Sequence, residues 1–161
     1  MKRRTRGGEV MLGLLAALLL MSPAPSVAAA QTHDDVRGAW TARRYLLADG
    51  PEYNVRGQIF FAELDWQVLF FVLDETGTAR RGSGEGGTYE RTSDGVVFRH
   101  LFHLSVGDAM PGLAEAPLRL VARGAEDAPL EPTRVEVEDD VLTLFFPSGN
   151  RMTFLRSGPE P

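Results

Sequence analysis

The sequence predicts an all-β protein, an antiparallel, up-and-down, closed β-barrel of about eight to ten strands. From Trp40 onward apolar and polar residues alternate with a period of two, which is the period of a β-strand. Short turn sequences separate these segments, and consecutive strands joined by short turns must be antiparallel. Arg156 lies in the last segment, where its guanidinium can stack on Trp40 in the first if the terminal strands pair. A sheet closed in this way has an interior, and a sandwich is the alternative.

Residues 1–30 have the three regions of a secretory signal peptide. Lys2 and three arginines give a positive start, residues 11–21 are an apolar run of 11 residues, and residues 28–30 are three alanines. Such a run is too short for a bilayer, which needs roughly 20 apolar residues. We therefore expect cleavage after Ala30, a secreted or periplasmic location, and no stable membrane anchor after cleavage.

Residues 31–161 are expected to form one domain. They contain 13 arginines against 21 acidic residues, a net charge near −8. An acidic domain repels phosphate backbones, so nucleic acid is not expected as a partner. The chain has no cysteine, so an exported domain of this kind depends on its core and not on disulfides.

Turn sequences divide this domain into short strands. Two segments do not match tight turns, the glycine-rich 78–86 and 107–117, and we expect them to be longer loops at the open end of the barrel. The predicted strands are residues 40–47, 57–64, 66–73, 87–92, 96–105, 118–123, 134–138, 141–146 and 151–155.

Alternation assigns the side chains of each strand to a face. In the strand 96–105 the more apolar face contains Phe98, His100 and Phe102, and this face should point inward. In the first strand Arg44 shares the face of Trp40. His100 and His103 are three residues apart and should lie on opposite faces, which argues against a shared zinc ion.

Several short motifs, in their order and spacing, resemble the bacterial lipocalin-like domain family of the calycin group. The resemblance covers nearly all of residues 31–161 and implies an eight-stranded antiparallel barrel that binds a small hydrophobic molecule. It implies no reaction. The motifs are Gly38-Ala39-Trp40, Asp49-Gly50, Gly57-Gln58-Ile59-Phe60-Phe61, Gly87-Thr88-Tyr89, Leu142-Thr143-Leu144, Gly149 and Arg156.

We expect Gly38, Trp40 and Arg156 to close one end of the barrel. An interior Arg44 could bind a ligand carboxylate in bidentate geometry, unless a bulge turns it outward or a glutamate pairs with it. His100 could donate to a ligand or bind haem iron as in nitrobindin-like barrels, or be a structural histidine. The residues expected to line the cavity are Arg44, Phe70, Tyr89, Phe98, His100 and Phe102.

The predicted function is therefore non-catalytic binding of a small hydrophobic or amphipathic molecule, with no cofactor, no catalytic residue and no metal. One alternative is a barrel with a solid core that binds a protein partner through its outer face or loops. The other is an enzyme of the cyclase or isomerase type, which would need Arg44, His100 and a carboxylate close together in the cavity.

Overall fold

The computed structural model describes residues 36–158, which fall within one compact unit. The predicted signal peptide and its cleavage after Ala30 lie outside these residues. The all-β prediction is confirmed, and no helix in the described range is long or apolar enough to cross a bilayer. The strands are β1 (Gly38–Leu46), β2 (Glu52–Phe61), β3 (Asp65–Leu73), β4 (Ala79–Arg91), β5 (Gly95–Gly107), β6 (Ala116–Ala122), β7 (Leu130–Glu138), β8 (Val141–Phe145) and β9 (Arg151–Arg156).

The sheet is a closed antiparallel barrel of eight strands with one additional strand, β6. Strands β4, β3, β2, β1, β9, β8, β7 and β5 are neighbours in that order, and β4 also pairs with β5, which completes the circle. The predicted pairing of the first and last strands is present, with Trp40 opposite Arg156 and Thr41 opposite Leu155. The two chain ends of the barrel are thus joined by a ladder of backbone hydrogen bonds.

The end of the barrel at the start of β1 is filled by side chains. Trp40 is completely buried, and its indole Nε1 donates to the carbonyl of Val36 at 2.8 Å. The Arg156 guanidinium carbon lies 4.1 Å from the centre of the Trp40 ring, and Arg156 Nη1 donates to the Arg37 carbonyl. This packing excludes water from one end, so that any interior space must lie toward the other.

The glycine-rich segment 78–86, predicted to be a loop, is instead the first half of the 13-residue strand β4. Its glycines at positions 82, 84 and 86 face outward between apolar side chains of β3 and β5. A methyl group added at Gly86 would overlap the Phe102 ring, and one at Gly82 would lie 3.3 Å from Phe71. Side chains of the neighbouring strands lie over β4 at these glycines. The glycines therefore mark close packing within a strand and not the turn that their usual preference suggests.

Strand β5 changes partners halfway along its length. Residues 95–99 pair with β7, whereas residues 102–107 pair with β6. Between them Leu101 is the extra residue of a β-bulge, since His100 is opposite Gly87 and Phe102 is opposite Gly86. The barrel wall therefore separates on one side, where β5 leaves β7.

Candidate functional site

The barrel encloses a cavity of about 180 Å³, which we call the lumen. Aromatic rings form much of its wall, and Trp66 and Phe98 are in close contact, with ring centres 4.3 Å apart. A cavity of about 150 Å³ accepts benzene, whereas sites for drug-sized ligands have about 300–1,000 Å³. The lumen thus fits a molecule with a single ring. Its aromatic residues are Tyr45, Trp66, Phe70, Phe98, Phe146 and Phe154.

One side of the lumen is polar and is built around Glu85 of β4. The His100 Nδ1 atom lies 2.9 Å from one carboxylate oxygen of Glu85, and the His103 Nδ1 atom lies 3.3 Å from the other. Ser83 donates to the same carboxylate at 3.1 Å, and the second nitrogen of His103 is 2.8 Å from the Ser105 hydroxyl. The bulge at Leu101 makes this cluster possible, because it turns both histidines to the inner face.

The expectation that His100 and His103 lie on opposite faces is therefore wrong. The extra residue at Leu101 shifts the alternation by one position, so that His103 follows His100 on the inside while Phe102 turns outward. Even so, no three His, Asp or Glu side chains between residues 36 and 158 are placed to hold one metal ion.

A second carboxylate, that of Glu131 in β7, lies across from His100. Its Oε1 atom is 3.9 Å from the His100 Nε2 atom, beyond hydrogen-bonding distance, and its one side-chain donor in the described range is Thr133 at 3.5 Å. Glu131 and His100 also line an outer cleft of about 440 Å³ next to Arg119 and Arg123. These two side chains thus separate the lumen from solvent where β5 leaves β7.

The two carboxyls have pKa values shifted in opposite directions. Burial opposes ionisation of Glu85, but the hydrogen bond from His100, the two imidazoles and Ser83 together lower its pKa below the ordinary value. Burial raises the pKa of Glu131; nearby His100 offsets part of that increase, and the charge of Glu85 adds to it. Glu85 is therefore a stable anion, and Glu131 is a carboxylate whose charge is poorly compensated.

The geometry has a definite chemical capability. Since Glu85 accepts the proton of His100 Nδ1, the Nε2 atom of that ring can accept a proton or a hydrogen bond from a molecule at the junction of lumen and cleft. The enzyme alternative would need Arg44, His100 and a carboxylate close together in the cavity. Arg44 does not lie beside His100 and the carboxylates, so this set of groups is incomplete.

Arg44 lies on the outside of the barrel, contrary to the assignment from alternation. A register shift between Thr41 and Arg44 in both pairings of β1 inverts the faces, and Tyr45 then points into the lumen. Arg44 donates to Asn54 and lies 3.8 Å from Glu52. Because Arg44 remains exposed to solvent, its charge has no burial cost that a ligand carboxylate would have to offset.

The other predicted cavity residues are divided. Phe70, Phe98 and His100 line the lumen. Phe102 does not, because the Leu101 bulge leaves it 42% exposed on the outer face. Tyr89 is buried in the core, where its hydroxyl donates to the Ala62 carbonyl at 2.8 Å, and it does not border the lumen.

Sequence reasoning missed the polar residues that contact His100. Glu85 lies in the segment predicted to be a loop, and Glu131 precedes the predicted strand 134–138. One signal was present, since Ser83 and Glu85 alternate with glycines at the period of a strand. Tyr45 and Asn150, whose side chains hydrogen-bond at 2.8 Å, were also missed at the lumen wall.

Comparison with known proteins gives no matching protein family, no matching curated protein and no matching solved structure. The described residues nevertheless define a class of architecture, a closed eight-stranded antiparallel barrel with an accessory strand and a small lumen.

Proposed function

We propose that this protein is an exported, lipocalin-like barrel that binds a small hydrophobic or amphipathic molecule in its lumen and does not catalyse a reaction. The observation that carries the proposal is the lumen of about 180 Å³, which is walled by six aromatic residues and has polar groups on one side. Apolar walls with a few convergent polar groups are typical of ligand sites.

Export is part of the proposal and is supported by the sequence of residues 1–30. The positive start, short apolar run and small residues favour a cleaved signal peptide and a secreted or periplasmic protein. The lipocalin-like assignment is supported by the order of the short motifs and by the calycin type of closed barrel.

Two measurements test binding. Native mass spectrometry of the mature protein from its own host should show a bound molecule of single-ring size. Ligand-observed NMR should detect binding of benzyl alcohol to the ligand-free protein. The Val68→Phe variant should abolish this binding, since Val68 borders the lumen, whereas Leu69→Phe, which changes the next and outward-facing residue, should not. Absence of both a copurified molecule and alcohol binding would refute the carrier function.

A protein-interaction module is the second candidate, and a patch on the outer face of the barrel favours it. Met110 and Leu113, in the segment 107–117, are half-buried against the core and do not form this patch. A group of exposed apolar residues lies instead on the neighbouring part of the sheet formed by β3, β5 and β6. A photo-cross-linker placed at Leu104 should capture one defined protein in the native host if this candidate is correct, and one placed at Arg151, exposed on β9 and distant from the patch, should not. The residues of the patch are Leu69, Phe71, Phe102, Leu104, Val106, Leu118 and Leu120.

A further inference from the structure

We propose that the lumen binds a single-ring molecule that carries a positively charged nitrogen, with the charge held beside Glu131 and Glu85. This inference rests on the proposed carrier function and specifies the chemical class of the ligand. It differs from the sequence-based expectation, in which an interior arginine would have selected a carboxylate.

The charges at the lumen are of one sign. Among the described residues that line it, the carboxylates are Glu85 and Glu131, and neither arginine nor lysine is present. Arg119 and Arg123 border the outer cleft, where Arg123 Nη1 lies 3.5 Å from the His100 carbonyl oxygen. Arg81 acts electrostatically on Tyr45 of the lumen wall, but its guanidinium donates to the carbonyl oxygens of Asp108 and Ala114. The lumen lining therefore carries two carboxylates and no guanidinium or ammonium group, which disfavours a carboxylate ligand.

The two carboxylates differ in how far neighbouring donors compensate their charge. Glu85 is neutralised in part by two imidazoles and a serine hydroxyl. Glu131 has Thr133 at 3.5 Å and His100 at 3.9 Å, so its oxygens can accept a further charged donor. An ammonium group beside Glu131 would compensate the charge that burial and Glu85 make unfavourable.

The aromatic wall adds a second reason for a cation. Trp66 borders the polar side directly, since the His100 ring contacts it edge-on with centres 5.1 Å apart. Faces of tryptophan, tyrosine and phenylalanine attract cations, and this attraction increases when the cation is desolvated. Carboxylates beside aromatic rings therefore favour a positively charged nitrogen over a neutral polar group.

The same wall also contains an unpaired hydrogen-bond donor. Trp66 is 5% exposed, and its Nε1 atom has no hydrogen-bond acceptor within the part of the chain that is described. An ammonium nitrogen has no lone pair to accept from this N–H, so the donor requires a separate acceptor atom on the bound molecule.

The test compares three probes that share one ring and one substituent carbon, namely benzylamine, benzyl alcohol and benzoate. Affinities are measured by calorimetry at pH 7.5. We expect the amine to bind about tenfold more tightly than the alcohol, which is the usual effect of a charge-assisted hydrogen bond, and benzoate to bind most weakly.

Variants identify the group responsible. Glu131→Gln should weaken amine binding about tenfold and leave alcohol binding within about twofold, whereas Glu131→Asp should retain part of the amine preference. Glu52→Gln, on the outer surface, should change neither affinity. Thermal unfolding of each variant shows that it is folded.

Each outcome supports or refutes a distinct claim. If the alcohol or benzoate binds as tightly as the amine, the inferred ligand class is wrong while the carrier function stands. The same holds if Glu131→Gln leaves the amine preference intact. If none of the three probes binds and no molecule copurifies with the protein, the carrier function itself is refuted.

Discussion

At the scale of single residues, the opposite environments of Glu85 and Glu131 have opposite effects on stability. The folded pKa of Glu85 lies below its ordinary 4.5, so its ionised form stabilises the fold above that value, and this stabilisation is lost as pH falls through the lowered pKa. The folded pKa of Glu131 lies above 4.5, so its ionised form costs stability above the raised pKa and nothing below 4.5.

Two glutamine variants should therefore change stability in opposite directions. At pH 7, Glu85→Gln should lower the free energy of unfolding by about 2 kcal/mol, because it removes a charge-assisted hydrogen bond. Glu131→Gln should raise it by less than about 1 kcal/mol, since this group is partly exposed to solvent. Both differences should shrink in acid. Urea unfolding between pH 3 and 8 measures them, and a destabilising Glu131→Gln at pH 7 would contradict the charges assigned here.

Arg44 provides a further test at this scale. Because its side chain contacts Asn54 and Glu52 on the outer surface, Arg44→Ala should leave the affinity for benzylamine and benzyl alcohol within about twofold. Tyr45→Ala, one residue later, should change both affinities because Tyr45 borders the lumen. Calorimetry compares the two variants, and a large loss in Arg44→Ala alone would restore the interior position predicted from alternation.

At the scale of elements, the β4–β5 hairpin creates the site through its bulge. Gly87 has φ of +157°, and a Cβ atom there would overlap the carbonyl oxygen of Arg99 on β5. Only glycine permits the two backbones to approach at this point. The bulge then brings His100, His103 and Glu85 to one face.

Gly87→Ala should therefore destabilise the protein and disrupt the polar cluster. We expect a loss of about 2–4 kcal/mol in the free energy of unfolding. Gly77 supplies a matched control, since it has a positive φ of +82° in a turn but no atom within 4 Å of an added Cβ. Gly77→Ala should cost about 1–2 kcal/mol, for the backbone conformation alone. Equal losses in the two variants would show that the backbone contact at Gly87 is unimportant.

The strands could be predicted from sequence more reliably than the directions of their side chains. Alternation located β1 and β5, but each contains an irregularity that shifts the pattern by one residue. Arg44 and Phe102 were placed inside for this reason, and His103 was placed outside. A bulge is determined by the neighbouring strand, through a glycine there or through the register of the pairing. The periodicity of one strand by itself therefore does not reveal it.

At the scale of the whole molecule, closure of the barrel was predictable because the two residues that pair across it lie in the first and last strands. Trp40 and Arg156 are distant in sequence, and their pairing follows from a meander that returns to its first strand. The lumen was not predictable in size, since side chains can fill an eight-stranded barrel completely. The polar side was missed because Glu85 and Glu131 come from segments with weak strand patterns.

The central claim is that a small molecule binds inside the closed barrel, and intermolecular NMR contacts test it most directly. With benzylamine bound, nuclear Overhauser effects should connect the ligand ring to the methyl groups of Ile59, Leu144 and Met152, which border the lumen. Contacts confined to Leu104 and Leu120 on the outer face, with none to the interior methyl groups, would contradict the account.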